Sequence, residues 1–210
     1  IDYLNNRKTD KPFFLFTSYL EPHHQNDCNH YVGPEGSKEK FKNYNIPEDL
    51  KNFSGDWNEE YPDYLGCCES LDRNVGRIVE TLKKLSKYDE TVIIYTSDHG
   101  SHFMTRNDEY KRSCHDSCIH IPLIISGREF VGGKRIKELV SLIDLPKTLL
   151  DIGGIALPEE LQGNSLLKLV TGASGVWPKE VFLQISESQV GRAIRTDKWK
   201  YSVSALDKDG

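Results

Sequence analysis

Apolar positions gather in short runs separated by polar stretches. The run within residues 91–100 (TVIIYTSDHG) is the one the others flank. Residues 92–95 are mostly β-branched and bounded by charge, which predicts a strand buried on both faces, as in a parallel sheet. Residues 13–18 (FFLFTS) predict a second strand, and residues 119–125 (IHIPLII) a third, with Pro122 at its start or on an edge. From Tyr61 the period changes. Tyr61, Tyr64, Leu65, Cys68, Leu71, Val75, Ile78, Val79, Leu82 and Leu85 recur at three- and four-residue steps, the stripe of an amphipathic helix. That helix is expected to pack on the sheet and lead into the central strand as a crossover.

The other segments are less regular. Residues 25–59 mix Pro, Gly, Asn and charge without a period and predict a long surface excursion, with a short helix around 38–44. Residues 140–152 open a helix with Asp144 as N-cap and Pro146 in the first turn, and it stops at Gly153-Gly154. Residues 155–178 predict a loop with one short helix at 165–170. Residues 181–185, 193–194 and 198–203 alternate in character and predict a small terminal antiparallel sheet.

Chemistry enters at the strand ends. Asp98 and His99 stand just past the carboxyl end of the central run, where open α/β sheets place ligands. A carboxylate oxygen plus a neutral imidazole nitrogen makes half a shell for a divalent cation. A strand-end turn with solvated polar residues explains the same pair. Gly100 is expected to let the backbone turn sharply behind them. The second strand repeats the logic, since residues 13–18 run into Glu21-Pro22-His23-His24. A histidine on such a loop is, taken alone, more often a surface residue.

Composition narrows the classes. At 210 residues, with 37% hydrophobic and 28% charged positions, the chain is expected to be a soluble globular domain with room for a small appendage. No apolar run reaches bilayer-spanning length, so no membrane partner is expected. A net charge of −5 with interspersed signs gives no nucleic-acid surface. The five cysteines (Cys28, Cys67, Cys68, Cys114, Cys118) are an odd number without CxxC spacing, so neither a disulfide framework nor a zinc site is expected. That leans toward a reducing, cytoplasmic compartment and leaves a periplasmic or secreted one open.

Taken in order, the segments resemble the type I sulfatases of the alkaline-phosphatase-like superfamily. KPFFLFTSYLEPHH is similar to their PFFLyxSfxxPH strand and loop. YLGCCESLDRNVGRIVETLKKLSKYDETVIIYTSDHG resembles their helix and following T.viftSDHG. KRSCHDSCIHIPLIISG, SLIDLPKTLLDIGGI with LQGNSLL, and VGRAIRTDKWKY resemble the later family stretches, so the likeness covers nearly all of residues 11–203.

The resemblance implies an α/β fold, a partial alkaline-phosphatase-like sandwich. In it a mixed, mainly parallel sheet is flanked by helices and followed by the start of a small C-terminal antiparallel sheet. Residues 1–175 correspond to the second half of the catalytic domain and 176–210 to the beginning of the C-terminal subdomain. Asp98 and His99 match two metal ligands. The family's metal is usually calcium, and the imidazole leaves manganese or magnesium open. Lys111, 111 − 98 = 13 positions after Asp98, matches the lysine that holds a sulfate oxygen. His23 matches the histidine that acts as general acid at the leaving group. His115 is placed to reach the sulfate or a sugar, or is structural. The substrate implied is a sulfate ester, most commonly of a sulfated carbohydrate.

The departures are equally specific. The family's nucleophile is a Cys or Ser in C/S-x-P-S/T-R, converted to formylglycine, and none of the five cysteines stands in such a motif. Nor do the two aspartates that complete the metal shell, or the lysine-histidine pair after the nucleophile, have a match here. The 210 residues therefore read as the second half of a sulfatase, inactive alone, with formylglycine expected in the missing N-terminal part. Two alternatives stay open: a phosphodiesterase or phosphonate monoester hydrolase of the same superfamily, and a non-catalytic binding module. An unpaired sheet edge predicts self-association.

Overall fold

The computed structural model describes residues 1–172, 175–186 and 190–205. Parts of the expected 155–178 loop (173–174) and of the expected C-terminal subdomain (187–189 and 206–210) lie outside the described residues. Contacts divide the chain into two units, residues 1–91 with 101–111, and residues 92–100 with 112–210.

In the first unit the order is α1 (Asp2–Asn5), α2 (Ser37–Phe41), α3 (Glu48–Lys51) and α4 (Trp57–Lys84). Helix α4 begins four residues before the predicted stripe. Glu59 and Glu60 favour its amino end, and Pro62 lies inside the helix, where its missing N–H leaves the Asn58 carbonyl without the usual helical donor. Its most buried positions are Pro62, Asp63, Gly66, Cys67, Leu71, Thr81 and Leu82. Leu71 and Leu82 belong to the predicted stripe and the others lie beside it, while the remaining stripe members are mostly half-buried. At Gly66 the reason is close approach: a Cβ there would run into the side chain of Ser37, so α2 seats directly on α4.

Residues 25–59 run mostly over the surface with a short helix at Ser37–Phe41, as expected, but Tyr31 and Leu50 within them enter the core of this unit. Tyr31, Leu50 and Phe103 form the buried cluster, with Ile46, Trp57, Tyr61 and Tyr64 packed against it. Ring centroids lie 5.2 Å apart for Tyr31–Phe103, 5.4 Å for Tyr64–Phe103 and 5.5 Å for Tyr61–Phe103. Edge-on and tilted pairs at this spacing favour the rings' charge distribution. Irregularly spaced aromatics can thus build a core without a local period.

Residues 13–18 differ from expectation as well. They form no strand, and Phe14 and Phe16 are 69% and 80% exposed. A strand requires a hydrogen-bonded neighbour, and none pairs with this run among the described residues.

In the second unit β1 (Ile93–Thr96) pairs with β2 (Leu123–Ser126), with Ile93 opposite Ser126 and Thr96 opposite Leu123. The pairing is antiparallel and β1 is half-buried, whereas its apolar run predicted a doubly buried, parallel setting. Pro122 stands immediately before β2, as its missing N–H requires, and its carbonyl accepts from Thr96 Oγ1 at 2.9 Å. Helix α5 (Asp116–Ile119) precedes β2, and α6 (Asp144–Ile152) and α7 (Leu167–Thr171) follow it.

Asp144 is the first residue of α6 rather than its N-cap. Its carboxylate accepts from the backbone N–H groups of Ser141 (2.8 Å) and Asn164 (2.7 Å), tying two loops to the helix start. Strands β3 (Glu180–Ile185), β4 (Gly191–Thr196) and β5 (Lys200–Ser204) form the expected antiparallel sheet, in the order β3-β4-β5. No helix among the described residues is long and apolar enough to cross a membrane.

Candidate active site

Four of the candidate residues form two pairs, His23 with Lys111 in the first unit and Asp98 with His99 in the second. In the first, the loop after Gly100 folds back on itself. The backbone N–H of His102 donates to the Tyr110 carbonyl (2.8 Å), and His102 Nε2 donates to the Lys111 carbonyl (3.0 Å). Ser101 Oγ also donates to the Tyr110 carbonyl (3.1 Å) and accepts from the Tyr31 hydroxyl (2.7 Å). His102 is fully buried (0% exposed), so the backbone carrying Lys111 is fastened to a core side chain.

That closure brings His23 and Lys111 together. His23 Nε2 lies 2.9 Å from the Tyr110 hydroxyl and 3.4 Å from Lys111 Nζ. The other ring nitrogen, Nδ1, meets the His24 carbonyl at 2.5 Å. A carbonyl only accepts, so Nδ1 carries a proton and Nε2 faces the tyrosine and the ammonium. His24 is 2% exposed, stacked on Tyr110 (centroids 4.6 Å apart, 16° between planes) and edge-on to Tyr31 (5.2 Å). Burial also drives the Tyr31 phenol far above its usual range, keeping it a hydroxyl donor toward Ser101.

The second group lies at the end of β1. His99 Nδ1 meets the Gly100 carbonyl at 2.8 Å, so by the same argument Nε2 holds the lone pair in the neutral ring. That Nε2 is 3.7 Å from Asp98 Oδ2. The Ser97 hydroxyl donates to the His99 carbonyl (2.8 Å), and Asp98 Oδ1 accepts the His99 backbone N–H (3.0 Å). Asp98 itself is 85% exposed at the side chain. Ligands about 2.0–2.6 Å from one cation lie about 3–4 Å apart, so the 3.7 Å spacing and the tautomer both fit two positions of a divalent shell. No third His, Cys, Asp or Glu joins them in a metal-sized cluster among the described residues.

Gly100 has a different reason than a sharp turn. Its N–H donates to the Cys118 carbonyl (2.8 Å), and a Cβ would collide with the Ser117 carbonyl, so only glycine lets α5 come this close.

His115 is the exposed N-cap of α5, and its carbonyl accepts from the N–H groups of Cys118 (2.9 Å) and Ile119 (3.1 Å). The next residue anchors the helix to the terminal sheet. Asp116 bonds Lys200 Nζ at 2.6 Å and Arg195 Nη1 at 3.4 Å. Arg195 and Lys200 are directly opposed on β4 and β5, so the carboxylate relieves a like-charge pair. Partial burial pushes the Asp116 carboxyl up, but the Lys200 and Arg195 cations outweigh it and hold it below the ordinary range.

None of the five cysteines forms a disulfide. Burial pushes the Cys67 thiol up to about 11 and raises Cys68 and Cys114 as well, which suits packing rather than nucleophilic attack.

Two residues that hold this site, Tyr110 and His102, carry no motif of their own. The available signal was adjacency: Tyr110 precedes Lys111, and His102 follows the S-D-H-G motif by two residues.

The chain belongs to the sulfatase family: the Sulfatase family model matches residues 1–155, and that for the N-sulphoglucosamine sulphohydrolase C-terminal region matches residues 108–206. Mouse arylsulfatase K is 35% identical over 148 residues, covering 66% of this chain and 27% of that protein. The chain thus spans about a quarter of the length of the curated relatives it matches.

Among solved structures, a Bacteroides thetaiotaomicron protein of glycosaminoglycan metabolism (BT33494S-sulf) superposes with TM-score 0.77 at 26% identity. It covers 93% of this chain and 45% of its own. BT4656, solved in complex with its substrate D-glucosamine-2-N,6-O-disulfate, gives TM-score 0.57 at 27% identity, covering 70% of this chain and 32% of its own.

Proposed function

We propose that the whole protein hydrolyses sulfate monoesters of sulfated carbohydrates. Family membership supports the reaction class. The glucosamine disulfate bound by BT4656 and the glycosaminoglycan metabolism of the second neighbour support the substrate class. One observation carries the reading: an imidazole with a defined tautomer stands within 3.4 Å of the Lys111 ammonium, so a proton carrier and an anion-binding cation share one cluster.

In this reading Lys111 binds a sulfate oxygen and offsets the charge that grows as the ester cleaves. His23 delivers a proton from Nε2 to the departing alcohol. His115 contacts the sulfate or the sugar. Asp98 and His99 supply two ligands to a divalent cation, calcium by resemblance, with manganese or magnesium compatible with the imidazole donor. When bound, that ion polarises the sulfate. The attacking group is a formylglycine from a segment other than these 210 residues.

The test is turnover of the whole protein on a sugar sulfate and the corresponding phosphate ester, with Lys111→Ala alongside. We expect preference for the sulfate and a loss of about a hundredfold in the variant, typical of removing one preorganised charge contact. Preference for the phosphate ester, or wild-type turnover in Lys111→Ala, contradicts the assignment.

A further inference from the structure

We infer that Tyr110 is a positioning residue that holds the His23 ring through both of its protonation states. The inference builds on the acid role proposed for His23, and its geometry stands apart from that role. With Nδ1 committed to the His24 carbonyl at 2.5 Å, Nε2 is the nitrogen whose proton can come and go. Among the groups that face it are the Tyr110 hydroxyl at 2.9 Å and Lys111 Nζ at 3.4 Å.

These two partners are not equivalent. An ammonium only donates, so Lys111 can bond Nε2 only while that nitrogen holds a lone pair. A hydroxyl both donates and accepts. It gives its hydrogen to Nε2 of the neutral ring and, after a small rotation about C–O, accepts the N–H of the imidazolium. Of the two contacts, only the one to Tyr110 survives both gain and loss of the proton. A general acid must be in register before and after it delivers its proton, which makes this contact the useful one.

The hydroxyl is itself fixed in place. Tyr110 is buried, its ring stacks on His24 and meets the His23 ring edge-on at 5.4 Å. Its carbonyl is held by the His102 N–H and the Ser101 hydroxyl. Aromatic packing on one side and two hydrogen bonds on the other leave the phenol little freedom.

Tyr110→Phe keeps the ring and its stacking and deletes only the hydroxyl. In the whole protein we expect kcat on a sugar sulfate to fall about tenfold with KM unchanged, the size typical of losing a group that orients a functional histidine. That fall should vanish in a His23→Ala background, because the hydroxyl acts through the imidazole. Wild-type kcat in Tyr110→Phe, or an undiminished fall without His23, overturns the inference.

A second readout needs no turnover. In 15N-histidine NMR spectra, neutral His23 should be the Nδ1-protonated tautomer, with an Nε2 resonance that moves in Tyr110→Phe. An Nε2-protonated tautomer in the wild type, or an unmoved resonance in the variant, overturns it. If His23→Ala retains full turnover, the proposed acid role fails, and the NMR result still decides whether Tyr110 holds the ring.

Discussion

The two groups of candidate residues are held in opposite ways. His23 and Lys111 come from segments 88 residues apart and meet because a buried aromatic framework of Tyr31, Phe103, Tyr110 and His24 brings them there. Asp98 and His99 are chain neighbours on a short turn after β1, and their bonds within residues 97–100 orient them locally. The first arrangement is preorganised by packing, which suits groups that must face a developing charge without rearranging. The second presents an exposed carboxylate and an oriented imidazole, which suits ligands that close around an ion.

The largest effect that would break this contrast is Phe103→Ala. It removes the ring shared by Tyr31, Tyr61 and Tyr64, and should destabilise the protein by about 3–5 kcal/mol in denaturant melts. A loss under about 1 kcal/mol would mean the aromatic framework does not hold the first group.

Asp98→Ala should behave in the reverse sense. Without added ions its stability should stay within about 0.5 kcal/mol of wild type, as for an exposed side chain. The whole wild-type protein should gain about 2.7 kcal/mol in calcium at a hundred times its dissociation constant, and the variant should lose that gain. An equal calcium response in both would remove Asp98 from the proposed metal ligands.

A smaller effect sharpens the picture at α5. Asp116 has a depressed carboxyl, so its contribution is present above the unfolded carboxylate range of about 4 and is lost as pH falls through the lower folded value. Being half-exposed, it is worth about 0.2–1 kcal/mol. The stability gap between wild type and Asp116→Asn should therefore be constant near neutrality and close under acid, and a gap that widens on acidification would reverse the sign. The smallest effect concerns thiols. Exposed Cys28 should react readily with a disulfide reagent at neutral pH, while Cys67, pushed to about 11 by burial, reacts only on unfolding.

Much of this architecture was legible because it follows local periods. The stripe from Tyr61 to Leu82 announced α4, and alternation after Val181 announced the terminal sheet. Asp98, His99 and His23 stood out as candidates beside strand-like runs and Lys111 through the family resemblance; the fold sets His23 beside Lys111 and Asp98 beside His99. What stayed hidden has no local signature. Tyr31 and Leu50 sit in an aperiodic polar stretch, and their burial comes from rings donated by α4 and by residue 103. The roles of Tyr110 and His102 depend on loop closure between residues 101 and 111, which spacing alone does not encode. Conversely, residues 13–18 have strand chemistry but no pairing partner among the described residues, and composition cannot supply one.

The most direct test is the dependence of His23→Ala on the leaving group. Proton delivery matters for a departing sugar alkoxide and little for a departing nitrophenolate. The variant of the whole protein should therefore lose about a hundredfold on a sugar sulfate and only a few-fold on nitrophenyl sulfate. Equal losses on the two substrates would contradict an acid at residue 23.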